Sequence, residues 1–234
     1  MSIVRLGPAD PFPPVQSALS DPNGLLAAGA DLSVERLLDA YARGIFPWYG
    51  EGDPILWWSP DPRMVLWLEE LHVSHSLRRL LRSARFRVTV DAAFRRVMEG
   101  CAEPRADDAG TWITDEMVRA YERLAARGYA HSVEVWDGDA LVGGLYGVAL
   151  GRMFYGESMF SLRSNTSKVA LATLAEQLQR WEFELIDCQM STPHLASLGA
   201  REIPRAEFVR HVARLSARDA VPTPWRLEGD LMRR

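Results

Sequence analysis

Asp187 and Gln189 stand two residues apart in the apolar run Leu185-Ile186-Asp187-Cys188-Gln189-Met190, and Glu157 sits in Phe154-Tyr155-Gly156-Glu157-Ser158-Met159. Both runs read as strands. Alternation along a strand puts Asp187 and Gln189 on one face and Cys188 on the other. Gly156, beside Glu157, marks a candidate bulge. A carboxylate in so apolar a run is costly to bury unless it is paired or hydrogen-bonded. Each of the three residues alone reads as a group satisfying backbone donors at a sheet end. Their convergence points to a reaction centre. No Gly-x-Ser-x-Gly elbow, phosphate-binding glycine loop or His-Glu-x-x-His accompanies them. The five histidines are scattered, and His194 reads as a hydrogen bonder at a helix start. A set with neither nucleophile nor metal suits the transfer of an already activated group, where positioning and hydrogen bonding suffice.

A second feature is made of flat rings. Between Phe46 and Arg63, eighteen residues hold three of the eight tryptophans (Trp48, Trp57, Trp58) and four of the fourteen prolines. Proline lacks the amide donor and clashes with helix geometry, so the segment reads as a stiff, turning loop. Its rings suit stacking on nucleobases, or the packing of one domain on another. A third feature is charge. The chain carries a net −4, which argues against indiscriminate coating of nucleic acid. Yet between His72 and Arg96 seven arginines (Arg78, Arg79, Arg82, Arg85, Arg87, Arg95, Arg96) face a single acid, Asp91. This is the footprint expected of a phosphate-binding surface, or of a solvated helix face.

The elements that must position these groups follow from periodicity. Val34, Leu37, Leu38 and Tyr41 recur at helical spacing behind the candidate caps Asp31 and Ser33. Residues 64–68 and 86–90 read as strands, and 74–83, 91–100 and 114–127 as helices, the last closed by Gly128. Residues 131–136 and 140–150 are β-rich runs joined by the turn Asp137-Gly138-Asp139, and Gly151-Arg152 leads into a third strand at 153–160. Residues 167–181 carry one apolar helical face; a short buried strand follows at 184–190, then a helix opening at Thr192-Pro193. A meander followed by helix, strand and helix sets the third strand beside the post-helix strand in one mixed sheet, a natural place for a cleft. With 234 residues, 47% of them hydrophobic, the chain is long enough for one large domain plus a small one. No apolar run approaches a membrane span, and Met1-Ser2-Ile3-Val4-Arg5 lacks a signal-peptide core. Cys101 and Cys188 have no metal-ligand spacing, so a cytoplasmic protein with reduced thiols, no metal and no cofactor is expected.

Taken in order, these segments resemble a known family. Tyr41-Ala42-Arg43-Gly44-Ile45-Phe46-Pro47-Trp48, Trp57-Trp58-Ser59-Pro60-Asp61-Pro62-Arg63, Thr111-Trp112-Ile113-Thr114, Tyr155 to Ser161, Ile186-Asp187-Cys188-Gln189 and Pro193 to Ala200 look like motifs of the bacterial leucyl/phenylalanyl-tRNA–protein transferases. The resemblance runs from about residue 20 to 210. It implies an α+β fold, with a small N-terminal domain (1–62) packed on a larger N-acetyltransferase-like domain (63–234) that holds a mixed, mostly antiparallel sheet. It implies transfer of leucine or phenylalanine, and methionine more weakly, from charged tRNA to the N-terminal arginine or lysine of proteins, which are then degraded. By the same resemblance Tyr41, Trp48, Trp112 and Tyr121 line the site for the terminal adenosine of the tRNA. Phe154 and Met159 form the aminoacyl side-chain pocket, and Glu157, Asp187 and Gln189 the reaction centre.

The residues suit that chemistry. An aminoacyl ester is activated, and an α-amino group with a pKa near 8 is already partly neutral at pH 7, so no strong base is required. The Gln189 carbonyl can accept a hydrogen bond from the attacking amine, with Asp187 expected to hold the Gln189 side-chain NH₂. Glu157 can attract a cationic acceptor. Arg78, Arg79 and Arg82 are the expected contacts to the tRNA backbone. Two other functions fit less well. An acetyl-CoA-dependent N-acetyltransferase needs a glycine-bearing pyrophosphate loop, but Leu162-Arg163-Ser164-Asn165-Thr166-Ser167-Lys168 has no glycine. A non-catalytic RNA-binding module leaves Asp187 and Gln189 unexplained. With no coiled-coil repeat, a monomer is expected.

Overall fold

A computed structural model describes residues 3–103 and 112–231. Thr111, at the head of one motif, lies outside the described residues, as do 1–2 and 232–234. The chain opens with a small four-stranded sheet made of β1 (Val4–Leu6), β2 (Leu25–Gly29), β3 (Phe46–Pro47) and β4 (Leu56–Trp58), in the order β1-β2-β4-β3. Helix α1 (Val34–Ala42) links β2 to β3. The Ser33 hydroxyl caps it by accepting from the Arg36 amide, and Asp31 in turn accepts from the Ser33 amide. The proline- and tryptophan-rich segment is therefore not the continuous loop expected, since it supplies two short strands. Pro47 is tolerated because β3 is an edge strand, where a missing amide breaks no inner ladder. Trp57 is fully buried, packed edge-on against Phe12 with ring centroids 4.8 Å apart, and its indole nitrogen donates to the Gly29 carbonyl. Trp58 is also part of the core, so two of the three tryptophans in that segment serve core packing.

The larger sheet is built from β5 (Arg63–Trp67), β6 (Arg87–Val90), β7 (Ala130–Asp137), β8 (Ala140–Leu150), β9 (Met153–Ser161), β10 (Leu185–Gln189) and β11 (Arg201–Ile203). Its order is β11-β5-β10-β9-β8-β7-β6. Every neighbouring pair is antiparallel except β9 with β10, which run parallel. The mixed α+β architecture read from the sequence is present, with the third meander strand beside the post-helix strand. Helices α2 (His75–Arg82), α3 (Phe94–Ala102), α4 (Asp115–Ala126), α5 (Thr166–Arg180), α6 (Pro193–Ser197) and α7 (Arg205–Ser216) cover the faces. No helix among the described residues is long and apolar enough to cross a membrane.

One helix begins later than its pattern suggests. Asp91 takes a left-handed φ of 55° and turns its carboxylate to the Ser132 amide and to His131 Nδ1, so α3 starts only at Phe94. The amides just before it, Ala92 and Ala93, donate to buried Glu134, which fixes the turn that leads into the helix. Glycine is required at Gly147. A side chain there would run into the Tyr155 carbonyl and the Phe154 ring, so β8 can approach β9 only without one.

Candidate active site

Strands β9 and β10 pair at only two positions, Phe154 with Ile186 and Tyr155 with Asp187. Beyond them both strands are bulged, and a cleft of about 440 Å³ opens there. On β9 the register slips between Gly147 opposite Gly156 and Tyr146 opposite Ser158, so Glu157 is the extra residue. A bulge re-aims a side chain out of simple alternation, and here it turns a carboxylate into the gap. On β10 the slip falls between Asp187 and Gln189, and Gln189 adopts φ 63°. Strict alternation therefore fails at Cys188, which lines the cleft together with Asp187 and Gln189. Burial pushes the Cys188 thiol far up, with the Asp187 charge adding to the effect, so it is no thiolate nucleophile.

Asp187 is fully buried and held by Arg63, whose Nε and terminal nitrogen reach its two oxygens at 2.8 and 2.6 Å. The guanidinium lies between the rings of Phe46 and Phe208, at 4.7 and 4.5 Å from their centroids, and donates to the Gly44 carbonyl. Asp187 Oδ1 also accepts from the backbone amide of Gln189 at 2.9 Å. The expected contact from Asp187 to the Gln189 side chain is not made. The side-chain NH₂ donates instead to Glu157 Oε1 at 2.9 Å, because the bulge turns the amide toward β9. Asp187 thus fixes the strained backbone of Gln189, and Glu157 orients its amide. The Gln189 carbonyl oxygen is left without a donor among the described residues.

Glu157 is enclosed by phenols. Tyr41 on α1 and Tyr121 on α4 donate to its two oxygens at 2.8 and 3.0 Å, and their hydroxyls lie 2.5 Å from each other. Three short oxygen contacts close a ring, but two phenols supply only two protons. The third contact is satisfied when Glu157 carries a proton. Burial raises the Glu157 pKa to about 7, against the lowering effect of the two tyrosine hydrogen bonds. Burial also drives both phenols well above their ordinary range, so they stay protonated donors.

Of the four aromatic residues expected at the adenosine site, Trp48 and Trp112 line the cleft, while Tyr41 and Tyr121 are fully buried and are not among its lining residues. Phe154 and Met159 line its apolar part with Leu171 and Leu174 of α5 and Ile186. Arg78, Arg79 and Arg82 are exposed on α2 and are not among the residues that line this cleft; Arg78 and Arg82 border a separate hollow shared with Glu69 and Glu176. Arg95 is spent on Glu99 and Glu122, and Arg87 and Arg96 flank the Trp136 ring at 5.1 Å each. Among the described residues no cluster of three His, Cys, Asp or Glu is arranged to hold a metal ion. Arg63 reads from the sequence only as the end of the tryptophan motif, and Leu171 and Leu174 only as the apolar face of a helix. For the leucines, helical spacing behind the bulged strand was the available signal.

The chain is similar to known proteins along most of its length. Residues 65–213 match the family model for leucyl/phenylalanyl-tRNA protein transferase, and residues 30–61 match the model for the N-terminal domain of that family. The leucyl/phenylalanyl-tRNA–protein transferase of Thiobacillus denitrificans is 61% identical over 214 residues, covering 92% of this chain and 94% of the relative. That of Azotobacter vinelandii is 63% identical over 197 residues, covering 84% and 87%. Among solved structures, L-PGS from Bacillus licheniformis is 10% identical with a TM-score of 0.39, covering 80% of this chain and 71% of that one. A GCN5-related N-acetyltransferase from Kribbella flavida is 13% identical with a TM-score of 0.33, covering 68% and 56%. With more than half of its length matched by the family model and relatives at about 60% identity, the chain belongs to the leucyl/phenylalanyl-tRNA–protein transferase family.

Proposed function

We propose that the protein moves leucine or phenylalanine from charged tRNA onto the N-terminal arginine or lysine of an acceptor protein, working as a cytoplasmic monomer and marking the product for degradation. The observation that carries this reading is an apolar cleft lined by Trp48 and Trp112 that leads to the Gln189 amide and the Glu157 carboxyl. In this reading the tryptophans stack on the terminal adenine, Phe154 and Met159 receive the aminoacyl side chain, and Tyr41 and Tyr121 act through Glu157. Residues 1–62 form the domain that brings Trp48 to the cleft.

The amine nitrogen attacks the ester carbonyl, a C–N bond forms, and the bond to the ribose oxygen breaks. The Gln189 carbonyl accepts a hydrogen bond from the attacking amine, favouring its developing positive charge. The proton that nitrogen loses must reach the ribose oxygen. Ionised Glu157, poised near pH 7, accepts it and returns it to the leaving group. Incubation with charged tRNAs and an arginine-starting peptide, read by mass, tests the reading. Leucine and phenylalanine are transferred and isoleucine and valine poorly, because a branch at Cβ widens the side chain where it enters the pocket. Equal transfer of isoleucine and leucine would rule out this pocket.

Two further outcomes follow from named groups. Arg78→Ala, Arg79→Ala and Arg82→Ala together weaken binding of both charged tRNAs alike and flatten its salt dependence, since phosphate contacts carry no base information. Unchanged binding at low salt would make this face ordinary solvated surface. The second concerns pH. Tyr121→Phe removes a bond that lowers the Glu157 pKa, so the acid limb of the rate profile moves to higher pH, while Glu157→Gln abolishes that limb. The titration of the acceptor amine is common to all variants, so the difference between profiles reports Glu157. The native protein keeps this proton up to about pH 7, whereas the unfolded chain releases it near 4.5. The stability it contributes is therefore full below 4.5 and lost as pH rises through 7.

A further inference from the structure

The last stretch of the described chain, 219–231, has no helix or strand of its own, and it lies beyond the residues matched by the family model. It is nonetheless anchored. Trp225, Leu227 and Leu231 are buried. The Trp225 ring stacks on His131 with centroids 3.5 Å apart and planes within 1°, and it meets Trp181 at 4.9 Å and Phe183 at 6.4 Å. Its fourth ring neighbour is Phe154, at 6.3 Å and tilted by 32°. Phe154 is a wall of the cleft, and its other side lies against Gly147 of β8. The ring is thus held between the bare backbone of Gly147 and a tryptophan contributed by the tail.

The same segment grips α5, the helix that supplies Leu171 and Leu174 to the cleft. Gln177, one turn after Leu174, is fully buried, and Glu228 meets both ends of its amide. The Glu228 backbone donates to Oε1 at 2.8 Å, and Nε2 reaches the Glu228 carboxylate at 3.5 Å. Arg180 adds ion pairs to Glu228 and Asp230 at 2.6 and 2.7 Å. Two walls of one pocket, β9 and α5, are therefore braced from behind by a single piece of chain.

We propose that the C-terminal segment is a specificity strap, and that Trp225 sets the depth of the aminoacyl side-chain pocket by fixing the position of Phe154. Packed interiors do not deform gradually, so a ring removed from behind Phe154 gives that side chain room to recede. The pocket then deepens at its far end, which favours the longer donor. Trp225 is a positioning residue, with Phe154 between it and the substrate. The inference rests on the reading that Phe154 and Met159 receive the aminoacyl side chain.

The test is competition between leucyl-tRNA and phenylalanyl-tRNA for one arginine-starting peptide, run on the full chain and three variants. Trp225→Leu, which keeps an apolar filler, and Trp225→Ala are both expected to raise the phenylalanine-to-leucine ratio, by about tenfold in the alanine variant. Trp225→Phe, which keeps a flat ring, holds the ratio near that of the parent. Met159→Ala is the control, since it enlarges the pocket directly and raises the same ratio. A loss of stability alone would slow both donors equally and leave the ratio unmoved. If Met159→Ala moves the ratio and the soluble Trp225 variants do not, the strap is wrong and the pocket reading stands. If none of them moves it, the pocket reading fails and the strap with it. Should Trp225→Ala fail to fold, Trp225→Leu decides the matter.

Discussion

Replacing Gln189 with alanine is expected to lower turnover by about 10²–10³-fold while leaving the affinity for charged tRNA nearly unchanged, the usual scale for losing one hydrogen bond that strengthens in the transition state. Glu157 takes the NH₂ at 2.9 Å, and the carbonyl has no donor among the described residues, so it is ready for an incoming N–H. The backbone beneath it is strained at φ 63°, a conformation maintained by the 2.9 Å bond from its amide to Asp187. Comparing two variants separates strain from chemistry. Gln189→Gly and Gln189→Ala lose the same side chain and should be equally slow. The glycine variant should be more stable by about 1 kcal/mol, because only alanine carries a Cβ into the left-handed region. Single-turnover transfer at saturating charged tRNA gives the rate, and denaturant unfolding gives the stability. A normal single-turnover rate with weakened tRNA affinity would move Gln189 from the reaction centre to the binding surface.

The contrast between Gln189 and Asp187 shows which parts of the site could be read from the chain alone. Their types and spacing in an apolar strand were enough to single them out, and the meander, helix and strand order was enough to set β10 beside β9. Strand alternation was the wrong rule at that point. Two bulges face each other across the cleft, so Glu157 and Gln189 are re-aimed and Cys188 joins the lining. Gly156 hinted at the first bulge; nothing local announced the second. The phenols that enclose Glu157 come from helices 80 residues apart, and a closure of that kind is a property of packing. The small N-terminal sheet was also hidden, since strands of two to five residues are too short for a period to emerge. Trp225, in a stretch with no regular structure, offered only its size as a signal.

Arg63 was the least legible residue of all, one arginine among many at the end of a motif, and its loss is expected to cost the most stability. Its partner Asp187 lies 124 residues away, and both side chains are almost completely removed from water. Arg63→Met should destabilise the protein by about 3–5 kcal/mol, because the Asp187 carboxylate is then buried without a counter-charge. In a chain of this size that corresponds to a fall in Tm on the order of 10 °C. Arg63→Lys should recover only part of the loss, since an ammonium cannot span both carboxylate oxygens or stack between the Phe46 and Phe208 rings. The double variant Arg63→Met, Asp187→Leu removes both charges and should regain most of the stability, as apolar replacement of a buried pair commonly does. It should remain slow. Asp187 also anchors the Gln189 amide, and leucine cannot accept that bond, so the glutamine is no longer pinned opposite Glu157. Thermal melts and single-turnover rates on the three variants separate the two roles of the pair. A double variant that melts like the parent and also turns over like it would show that the ion pair serves the fold alone.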